Sequence, residues 1–420
     1  PSPVYAGNVL AADKAGEPVE LEPDCTKPLV ARVFKTVADP FVGKLSYVKV
    51  ISGTLTGTSA IVNGRTGEAD KMGKLMFVSG KKQSDATKVI AGDICAVSKL
   101  AARTGDTLCD PSCVVQLPEP SFPHACYSMA VKVAKKGDEG KISSGLTRLV
   151  EEDPTLKFSQ DPETAEQILA GLGEQHLEVA VCKLKSKFGV EVTLSVPRIA
   201  YRESVRKKCK AQGRHKKQTG GHGQFGDVWI EFEPCESDDL VFEEKVFGGS
   251  VPKNYFPAVE KGLRQAAQKG VLAGYPVVGL KATLLDGSYH PVDSSEMAFI
   301  MAAKIAYKTA MPEAGPVLLE PVGSLKVSVP AENTGDIMGE VTKRRGRVLG
   351  MSPDEDGGQI VEAEVPAAEM QSFTAFLRQL TQGRGSFTFD FVRYETLPSN
   401  LEAKVIEESR KLGNMAEDDE

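Results

Sequence analysis

The sequence lacks the paired cysteines and histidines on which metal sites and disulfide frameworks are built. Its eight cysteines contain no C-x-x-C motif, and none of its five histidines is paired at ligand spacing with a cysteine or with another histidine. Structural zinc sites need such clusters, whereas scattered cysteines are typical of reduced thiols in the cytosol. We therefore expect no metal site and a protein with free thiols.

Long apolar runs, a signal peptide and a nucleotide-binding loop are also absent from the sequence. No hydrophobic run approaches the roughly 20 residues of a membrane-spanning helix, and no charged n-region followed by an apolar h-region opens the chain. The phosphate-binding motif G-x-x-x-x-G-K-S/T does not occur. We therefore expect a cytoplasmic location, no membrane partner and no enzymatic activity of this chain by itself.

What the sequence does contain is a long chain of ordinary composition with unevenly distributed charge. Its 420 residues exceed what one hydrophobic core usually supports, and 41% hydrophobic with 26% charged residues is typical of globular domains. The net charge of −6 argues against a uniformly basic surface. Seven cations nevertheless crowd between Arg206 and Lys217, and four acidic residues end the chain at 417–420, where we expect disorder.

Periodicity and turn signals divide the chain into five segments. Residues 1–120 carry short alternating apolar runs separated by glycine turns, which predicts a small β-barrel. Residues 121–198 and 318–400 each follow the order β-α-β-β-α-β of a ferredoxin-like α/β sandwich. Residues 199–317 between them are predicted to form an α+β domain, and residues 401–420 an acidic tail. The expected fold class is multidomain α+β.

A glycine-rich stretch from Gln218 to Gly226 is the first of two polar loops predicted outside the regular elements of the segment 199–317. It formally matches the dinucleotide motif G-x-G-x-x-G. That motif needs a strand before it and a helix after it, whereas here we expect a basic loop before it and a strand after it, which disfavours nicotinamide binding. The glycines instead predict a narrow loop whose amides can approach phosphates closely.

The second polar loop, Asp286 to Asp293, runs directly into a predicted helix at 294–311. Its Asp-Gly-Ser start is turn chemistry, and Asp293 followed by Glu296 predicts a capping box at the helix N-terminus. His290 would then stand on an exposed turn. Taken alone, it fits a turn histidine bonded to its own backbone better than a functional residue, and the basic run fits a solvated loop as well as a phosphate-binding one.

Both loops resemble domain IV of elongation factor G, the translational GTPase that moves tRNA and mRNA through the bacterial ribosome. The resemblance runs nearly end to end. It is carried by Leu29 to Leu45 for domain II, Glu151 to Thr155 and Gly171 to Glu178 for domain III, Asp286 to Phe299 for domain IV, and Met338 to Arg347 for domain V.

By this resemblance, the tip loops meet the codon–anticodon duplex through its shape and its 2′-hydroxyls, while cations position the domain on RNA phosphates. The implied tip residues are Gln218, Gly220, Gly221, His222, Gly223, Gln224, Ser288, Tyr289, His290 and Asp293. The implied phosphate contacts are Lys207, Lys208, Arg214, Lys216, Lys217, Lys343, Arg344 and Arg345. The last three end a predicted helix (Thr334 to Lys343), whose macrodipole would account for one or two of them without RNA.

The resemblance implies domains II to V of a factor that promotes tRNA–mRNA translocation as a monomer. Its partners would be the ribosome, through rRNA and ribosomal proteins, and the tRNA–mRNA complex. No cofactor is expected in this chain, while GTP and Mg²⁺ would bind a preceding domain, from which Pro1 to Pro3 look like the exit, in a ribosome-stimulated GTPase. Two alternatives remain: a paralogue for ribosome recycling or ribosome protection, and a stand-alone RNA-binding module.

Overall fold

The chain forms two compact units, residues 1–198 and residues 199–420. The structure is a computed structural model that describes residues 7–39, 43–80, 82–134, 137, 139–218, 223–354 and 357–414. Each unit contains more than one hydrophobic core: the larger cores of the first unit are built on Val33 and Leu146, and those of the second on Phe299 and Phe373. The predicted fold class, multidomain α+β, is confirmed.

The first unit begins with an all-β part. Its strands are β1 (Val9–Ala12), β2 (Pro18–Leu21), β3 (Val30–Asp39), β4 (Gly43–Ser52), β5 (Thr54–Thr56), β6 (Ile61–Asn63), β7 (Ala69–Asp70), β8 (Leu75–Ser79), β9 (Lys82–Asp85), β10 (Lys88–Ile90), β11 (Ile94–Ser98) and β12 (Thr107–Cys109). Eight of them form one sheet in the order β7-β6-β12-β3-β4-β11-β8-β9, beside the ribbons β1-β2 and β10-β5. The alternating runs predicted this: before residue 118, the described chain has no helix.

The second part of this unit has the predicted β-α-β-β-α-β order. Its elements are β13 (Tyr127–Val133), α1 (Glu139–Glu152), β14 (Lys157–Gln160), β15 (Gln167–Gly171), α2 (Glu174–Phe188) and β16 (Val192–Ser195). The sheet order β14-β15-β13-β16 is antiparallel throughout. Helix α2 buries Leu177, Ala180 and Leu184 and ends at Gly189, whose φ of 68° suits glycine.

A buried carboxylate joins these two parts. Glu152, at the end of α1, accepts hydrogen bonds from the Ala38 amide of β3 at 3.1 Å and from Lys187 Nζ of α2 at 2.7 Å. Burial by itself would raise the pKa of Glu152, but the bonds from Lys187 and Ala38 and the charge of Lys183 outweigh it and hold the pKa below its usual value. The ionised carboxylate is therefore the form that holds β3 to α1 and α2.

The second unit begins with an α+β part. Its elements are β17 (Arg202–Val205), β18 (Cys209–Gln218), β19 (Gly223–Pro234), β20 (Val241–Glu244), α3 (Phe256–Ala267), β21 (Leu280–Ser288) and α4 (Glu296–Ala310). The sheet order is β18-β19-β21-β20, with β20 parallel to β21 and the other pairs antiparallel. Strand β18 is thus an edge strand. The prediction of a basic loop here was wrong for Lys210, Arg214, Lys216 and Lys217, which lie on β18 itself, whereas Arg206, Lys207 and Lys208 precede the strand.

The backbone of helix α4 lies in direct contact with the backbones of β18 and β19. An added Cβ at Gly213 would overlap the carbonyl oxygen of Ala302, and one at Gly226 would lie 2.6 Å from the carbonyl oxygen of Ala298. Small residues are what permit such an approach. The helix meets the sheet with an alanine-rich face, Ala298, Phe299, Ala302, Ala303, Ala306, Tyr307 and Ala310, while the predicted face residue Met297 is exposed.

The rest of the second unit repeats the β-α-β-β-α-β order and adds a helix. Its elements are β22 (Pro316–Val329), α5 (Thr334–Lys343), β23 (Arg347–Pro353), β24 (Gln359–Pro366), α6 (Phe373–Thr381), β25 (Ser386–Thr396) and α7 (Ser399–Lys411). Strand β22 pairs with β24 and β25 along most of its length and with β17 at its start. The helix predicted at Ala367 to Leu380 is two elements, a 3₁₀ turn at Ala367–Met370 followed by α6.

Helix α7 corrects the prediction of an acidic tail from residue 401. Val405 and Ser409 are buried, and Ser409 Oγ donates a hydrogen bond to the Ala273 carbonyl oxygen. Ala273 lies in a loop whose amides bond to the buried carboxylate of Glu203, at 2.8 Å for the Ala273 N–H. The apolar stripe of Leu401, Val405 and Ile406 packs against Leu318 and Leu272, which gives this segment a reason to fold. The four terminal acidic residues lie outside the described residues.

The close contact between α4 and β18 predicts a strong effect of one methyl group. We expect Gly213→Ala to lower the free energy of unfolding by about 2 to 3 kcal/mol, because the helix backbone must move away from the strand. Trp229 on β19 is the only tryptophan of the chain, so its fluorescence during urea denaturation reports on this unit.

Gly339→Ala is the matched control, since a Cβ at this position in α5 meets nothing within 4 Å. Alanine is the better helix former by about 1 kcal/mol, so we expect this variant to keep or raise its denaturation midpoint. A Gly213→Ala midpoint equal to that of the unchanged protein would contradict the backbone contact.

Candidate functional site

Two chain segments meet at one end of the β18–β19 hairpin, and we call this end the tip. It comprises the last residues of β18 and the first of β19 (216–218 and 223–225) and the connection 288–295 between β21 and α4. Phe225 N–H donates to the Asp293 carbonyl oxygen at 2.8 Å, and Ser294 Oγ donates to the Phe225 carbonyl oxygen at 2.9 Å. Gly223 N–H donates to Asp293 Oδ1 at 3.1 Å. The two segments therefore form one structure.

Asp293 has a different role from the predicted one. The N-cap of α4 is Ser295, whose hydroxyl accepts from the Ala298 amide at 3.3 Å, so the capping box predicted at Asp293 and Glu296 was wrong. The helix starts two residues later than that prediction required, and the Asp293 carboxylate bonds across the tip to Gly223. Asp293 therefore holds the hairpin to the connection.

His290 is a turn histidine with one nitrogen facing outward. Its Nδ1 accepts from the Asp293 amide at 3.2 Å and from the Val292 amide at 3.4 Å, and its own amide donates to Ser294 Oγ at 2.9 Å. When the imidazole ring is neutral and Nδ1 accepts hydrogen bonds, the single ring proton is on Nε2. The side chain is 52% exposed, so Nε2 is a donor presented at the surface of a fixed turn.

The residues that flank His290 are exposed and apolar, while the Asp293 carboxylate lies 3.4 Å from His290 Nδ1. Tyr289 and Val292 are among the exposed large hydrophobic residues of the described chain, and Pro291 between them is exposed as well. The predicted contact residues Ser288 and Gln224 point elsewhere: Ser288 Oγ donates to Asp227 Oδ2 at 2.8 Å, and Gln224 Oε1 lies 3.0 Å from His215 Nε2. These two side chains stabilise the tip from within.

The predicted residues Gly220, Gly221 and His222 belong to positions 219–222, which lie outside the described residues. Gln218 and Gly223 are the last and first residues of the paired strands and oppose each other in register. Gln218 is exposed, whereas Gly223 is half-buried against Asp293. Of the tip residues in the described ranges, Gln218, Tyr289 and His290 therefore remain available for contacts.

The cations of β18 fall into two groups. Near its start, Lys208 Nζ lies 2.8 Å from Glu231 and 3.5 Å from Glu233, and hydrogen bonding to Glu231 raises the pKa of Lys208. Near the tip, Lys216 and Lys217 are exposed and have no ion-pair partner among the described residues. The guanidinium of Arg214 lies 5.6 Å from the Phe225 ring centroid. The positive charge of the strand is therefore least compensated beside the tip.

Lys207 lies before β18, and its side chain is exposed while its amide bonds to the Ala314 carbonyl oxygen at 2.8 Å. Of the predicted phosphate contacts between positions 207 and 217, it is the farthest along the chain from the hairpin end. Its backbone is fixed and its ammonium group is free of ion pairs within the described residues. Lys207 thus belongs to the available cations, although it does not lie at the tip.

Arg344 and Arg345 are engaged in ion pairs within the domain, and their predicted role as RNA contacts stays a prediction. Arg345 makes a bidentate ion pair with the buried Glu320 at 2.6 and 2.8 Å and reaches Glu369 at 2.9 Å. Its hydrogen bonds to Glu320 raise the pKa of Arg345 above its usual value. Arg344 bonds to Glu340 at 2.7 Å and is only 11% exposed. Among the three predicted cations, Lys343 is the exposed one, 3.9 Å from Glu340.

A third segment reaches the same end of the domain and was missed by the sequence analysis. Strand β20 runs parallel to β21 toward the tip, and the Lys245 amide after it donates to the Leu284 carbonyl oxygen at 2.8 Å. Further on, Tyr255 Oη donates to the Ser294 carbonyl oxygen at 3.3 Å. Between them lies Phe247, which is 94% exposed. The signal in the sequence was an aromatic residue followed by Gly248 and Gly249.

The remaining features are His176, groups that could bind a metal, and helices that could span a membrane. His176 of α2 accepts the Leu172 amide at 3.1 Å and lies 3.0 Å from Asp153 Oδ2, so it fastens the start of the helix. No group of histidine, cysteine or acidic residues that could hold a metal occurs within the described ranges. In the same ranges, no helix is both long and apolar enough to cross a membrane.

Comparisons with known protein families assign every major part of the chain. Family models match in chain order: elongation factor G domain 2 at residues 28–111, domain III at 122–196, domain IV at 197–315 and the elongation factor G C-terminus at 317–405. The tip described above lies in the part that matches domain IV. Together the matches define a translation factor of the elongation type.

The chain belongs to the elongation factor G family. It is 44% identical over 412 residues to an elongation factor G-like protein of Thermotoga maritima, with 98% of this chain and 60% of that protein covered. A crystal structure of a Thermus thermophilus protein matches 92% of this chain and 58% of its own with a TM-score of 0.76 at 38% identity. The chain thus spans about three fifths of the length of each.

The hydrogen bonds of Ser294 lead to a prediction about the stability of the tip. Ser294→Ala removes the hydroxyl that joins the His290 amide to the Phe225 carbonyl oxygen, and a lost bond of about 1 kcal/mol corresponds to roughly fivefold more frequent opening. We expect amide hydrogen exchange at residues 290–293 and 223–225 to speed up by this factor, measured by mass spectrometry.

Ser352→Ala on the exposed edge strand β23 removes the same group far from the tip in the chain, and exchange at residues 290–293 should remain unchanged. Equal exchange in the Ser294→Ala and Ser352→Ala proteins would mean that the backbone contacts alone hold the tip together.

Proposed function

We propose that this chain is the ribosome-binding part of an elongation factor that promotes the movement of tRNA and mRNA through the ribosome. The observation that carries the proposal is the tip. An exposed turn fixed by hydrogen bonds at His290 lies at the same end of the hairpin as Lys216 and Lys217, which have no ion-pair partner among the described residues. Such a surface suits an RNA groove, because cations neutralise phosphates while polar and aromatic groups meet sugars and bases.

The mechanism we propose is steric and electrostatic. The tip would enter the space that a tRNA leaves and thereby oppose its return, so no bond is made or broken at the tip. The His290 Nε2–H would donate to a ribose hydroxyl or to another RNA acceptor. A contact of this kind does not depend on base identity, as a factor that serves every codon requires.

The proposal extends to the setting in which the chain works. We propose that GTP and Mg²⁺ are bound by a separate domain of the same protein, that hydrolysis there is stimulated by the ribosome, and that the protein acts in the cytoplasm as a monomer. rRNA and ribosomal proteins would be its partners. The match of the chain to the elongation factor G domains supports this assignment.

Salt dependence tests the role of the tip cations. We expect Lys216→Ala/Lys217→Ala to weaken cosedimentation of the chain with ribosomes and to reduce the slope of log K against log salt concentration by about 2, because each lysine releases about one counterion. Binding measured across a series of KCl concentrations gives the slope.

Lys404→Ala/Lys411→Ala is the matched control, since it removes the same charge from α7, where both lysines pair with glutamates within the helix. The slope of this variant should equal that of the unchanged chain. If both double variants reduce the slope equally, net charge rather than the tip governs binding.

His290 is tested by its effect on tRNA movement in a protein that joins this chain to a GTP-binding domain. We expect His290→Ala to slow translocation about five- to thirtyfold, the effect of about 1 to 2 kcal/mol lost in the transition state. Ribosome-stimulated GTP hydrolysis should remain near normal. Rapid-mixing measurements of tRNA movement and phosphate release, made side by side, compare the two steps.

Conservative variants separate the two nitrogens of His290. An asparagine amide occupies the region of Nδ1 and can keep the turn, whereas a glutamine amide reaches the region of Nε2. We expect His290→Gln to retain more activity than His290→Asn if the outward nitrogen makes the contact. If His290→Asn retains more activity than His290→Gln, the role of His290 is purely structural. The control is His124→Ala, in an exposed position of the first unit, which should change neither translocation nor GTP hydrolysis.

A further inference from the structure

We infer that Phe247 is a stacking platform for an unpaired nucleobase of the RNA that meets the tip. This inference rests on the proposed function, because it needs an RNA partner at this end of the domain. Phe247 is the most exposed of the large hydrophobic residues in the described chain, at 94%. A side chain this exposed buries little apolar area on folding, so its ring is available for an interaction.

The loop that carries Phe247 is fixed at both ends. On one side the Lys245 amide donates to the Leu284 carbonyl oxygen at 2.8 Å. On the other side Val251 is buried, and an added Cβ at Gly287 would lie 2.6 Å from Val251 Cγ2. The anchors on β21 are three residues apart, about 10 Å along a strand. The five residues between Lys245 and Val251 cannot lie extended over so short a distance, so the loop bulges outward.

Two glycines complete the exposed loop. Gly248 and Gly249 have φ values of 71° and 72°, and an added Cβ on either would meet nothing within 4 Å. Positive φ at two successive positions turns the chain sharply, and the missing side chains leave the space beside the Phe247 ring open. A planar group can therefore approach the ring without meeting a neighbouring side chain from these positions.

The size and chemistry of this feature favour a nucleobase over a protein surface. Protein-binding patches are contiguous and cover several hundred Å², whereas one phenylalanine offers about 200 Å². The flanking residue Lys245 is polar, and its ammonium group lies 3.7 Å from Glu243. Nearby Glu244 and Asp286 leave the surroundings of the loop without excess positive charge. The contact expected here is therefore stacking, which every base can provide.

Substitutions at Phe247 distinguish stacking from a general apolar contact. In cosedimentation of the full 420-residue chain with ribosomes, we expect Phe247→Ala to weaken binding about five- to twentyfold. Phe247→Leu should be as weak as Phe247→Ala, whereas Phe247→Trp should bind at least as well as the unchanged chain. The loss should be the same at low and high KCl, because stacking releases no counterions.

A fluorescence measurement reports on the ring directly. In the variant Trp229→Phe/Phe247→Trp the only indole stands at position 247, and a stacked base should quench its emission when ribosomes are added. Chemical probing of the ribosomal RNA should show at least one base protected by the unchanged chain and not by Phe247→Ala. Phe122→Ala, at an exposed phenylalanine of the first unit, should leave binding unchanged.

The outcomes separate this inference from the proposed function. If the unchanged chain does not bind ribosomes, the proposed function falls and the inference falls with it. If it binds and Phe247→Ala binds equally well, only the inference is overturned. If Phe247→Leu binds as well as the unchanged chain, without quenching of the indole in the double variant, Phe247 contacts an apolar protein surface and the stacking role is wrong.

Discussion

The backbone contact between α4 and the β18–β19 hairpin is the constraint on which the candidate site depends. At Gly213 and Gly226 no side chain separates the helix from the sheet, so the two can slide or tilt only by breaking a close-packed interface. Both strands end at the tip and the helix begins there. The position of His290 relative to Lys216 and Lys217 is therefore set by the core of the domain rather than by the flexibility of a loop.

Charge is distributed along β18 in a way that matches this geometry. At the start of the strand, Lys208 is neutralised by Glu231 and Glu233, which stabilises the open face of the sheet. Closer to the tip, β18 still carries the cations Lys216 and Lys217, but no acidic residue of the described chain forms an ion pair with them. An approaching polyanion would therefore be attracted beside the tip, where hydrogen bonds join the hairpin to the connection 288–295, so that attraction and fit act at the same place.

The element order, the family and the loop before α4 could be predicted from the sequence, because hydrophobic periodicity and the resemblance agreed. Of the first predicted loop, Gln218 and Gly223 to Gly226 lie on β18 and β19, and positions 219–222 lie outside the described residues. The strand β18 could not, because its inward residues Ala211 and Gly213 are too small to register as an apolar stripe. Neighbouring Asp293 and Ser295 are both good N-caps, and only the position of the first helical turn separates them. The ion pairs of Arg345 join it to residues 24 and 25 positions away, beyond any local pattern, whereas Arg344 and Glu340 have the local spacing i,i+4.

The tip is held together by main-chain groups of Phe225, Asp293 and His290 and by two side chains, the hydroxyl of Ser294 and the carboxylate of Asp293. The outward side chains of Tyr289, His290 and Val292 take little part in that scaffold beyond the Nδ1 acceptor. Natural selection can therefore exchange them at small cost in stability, and a gene duplicate can acquire a new function by changing a few codons while its architecture stays as it was.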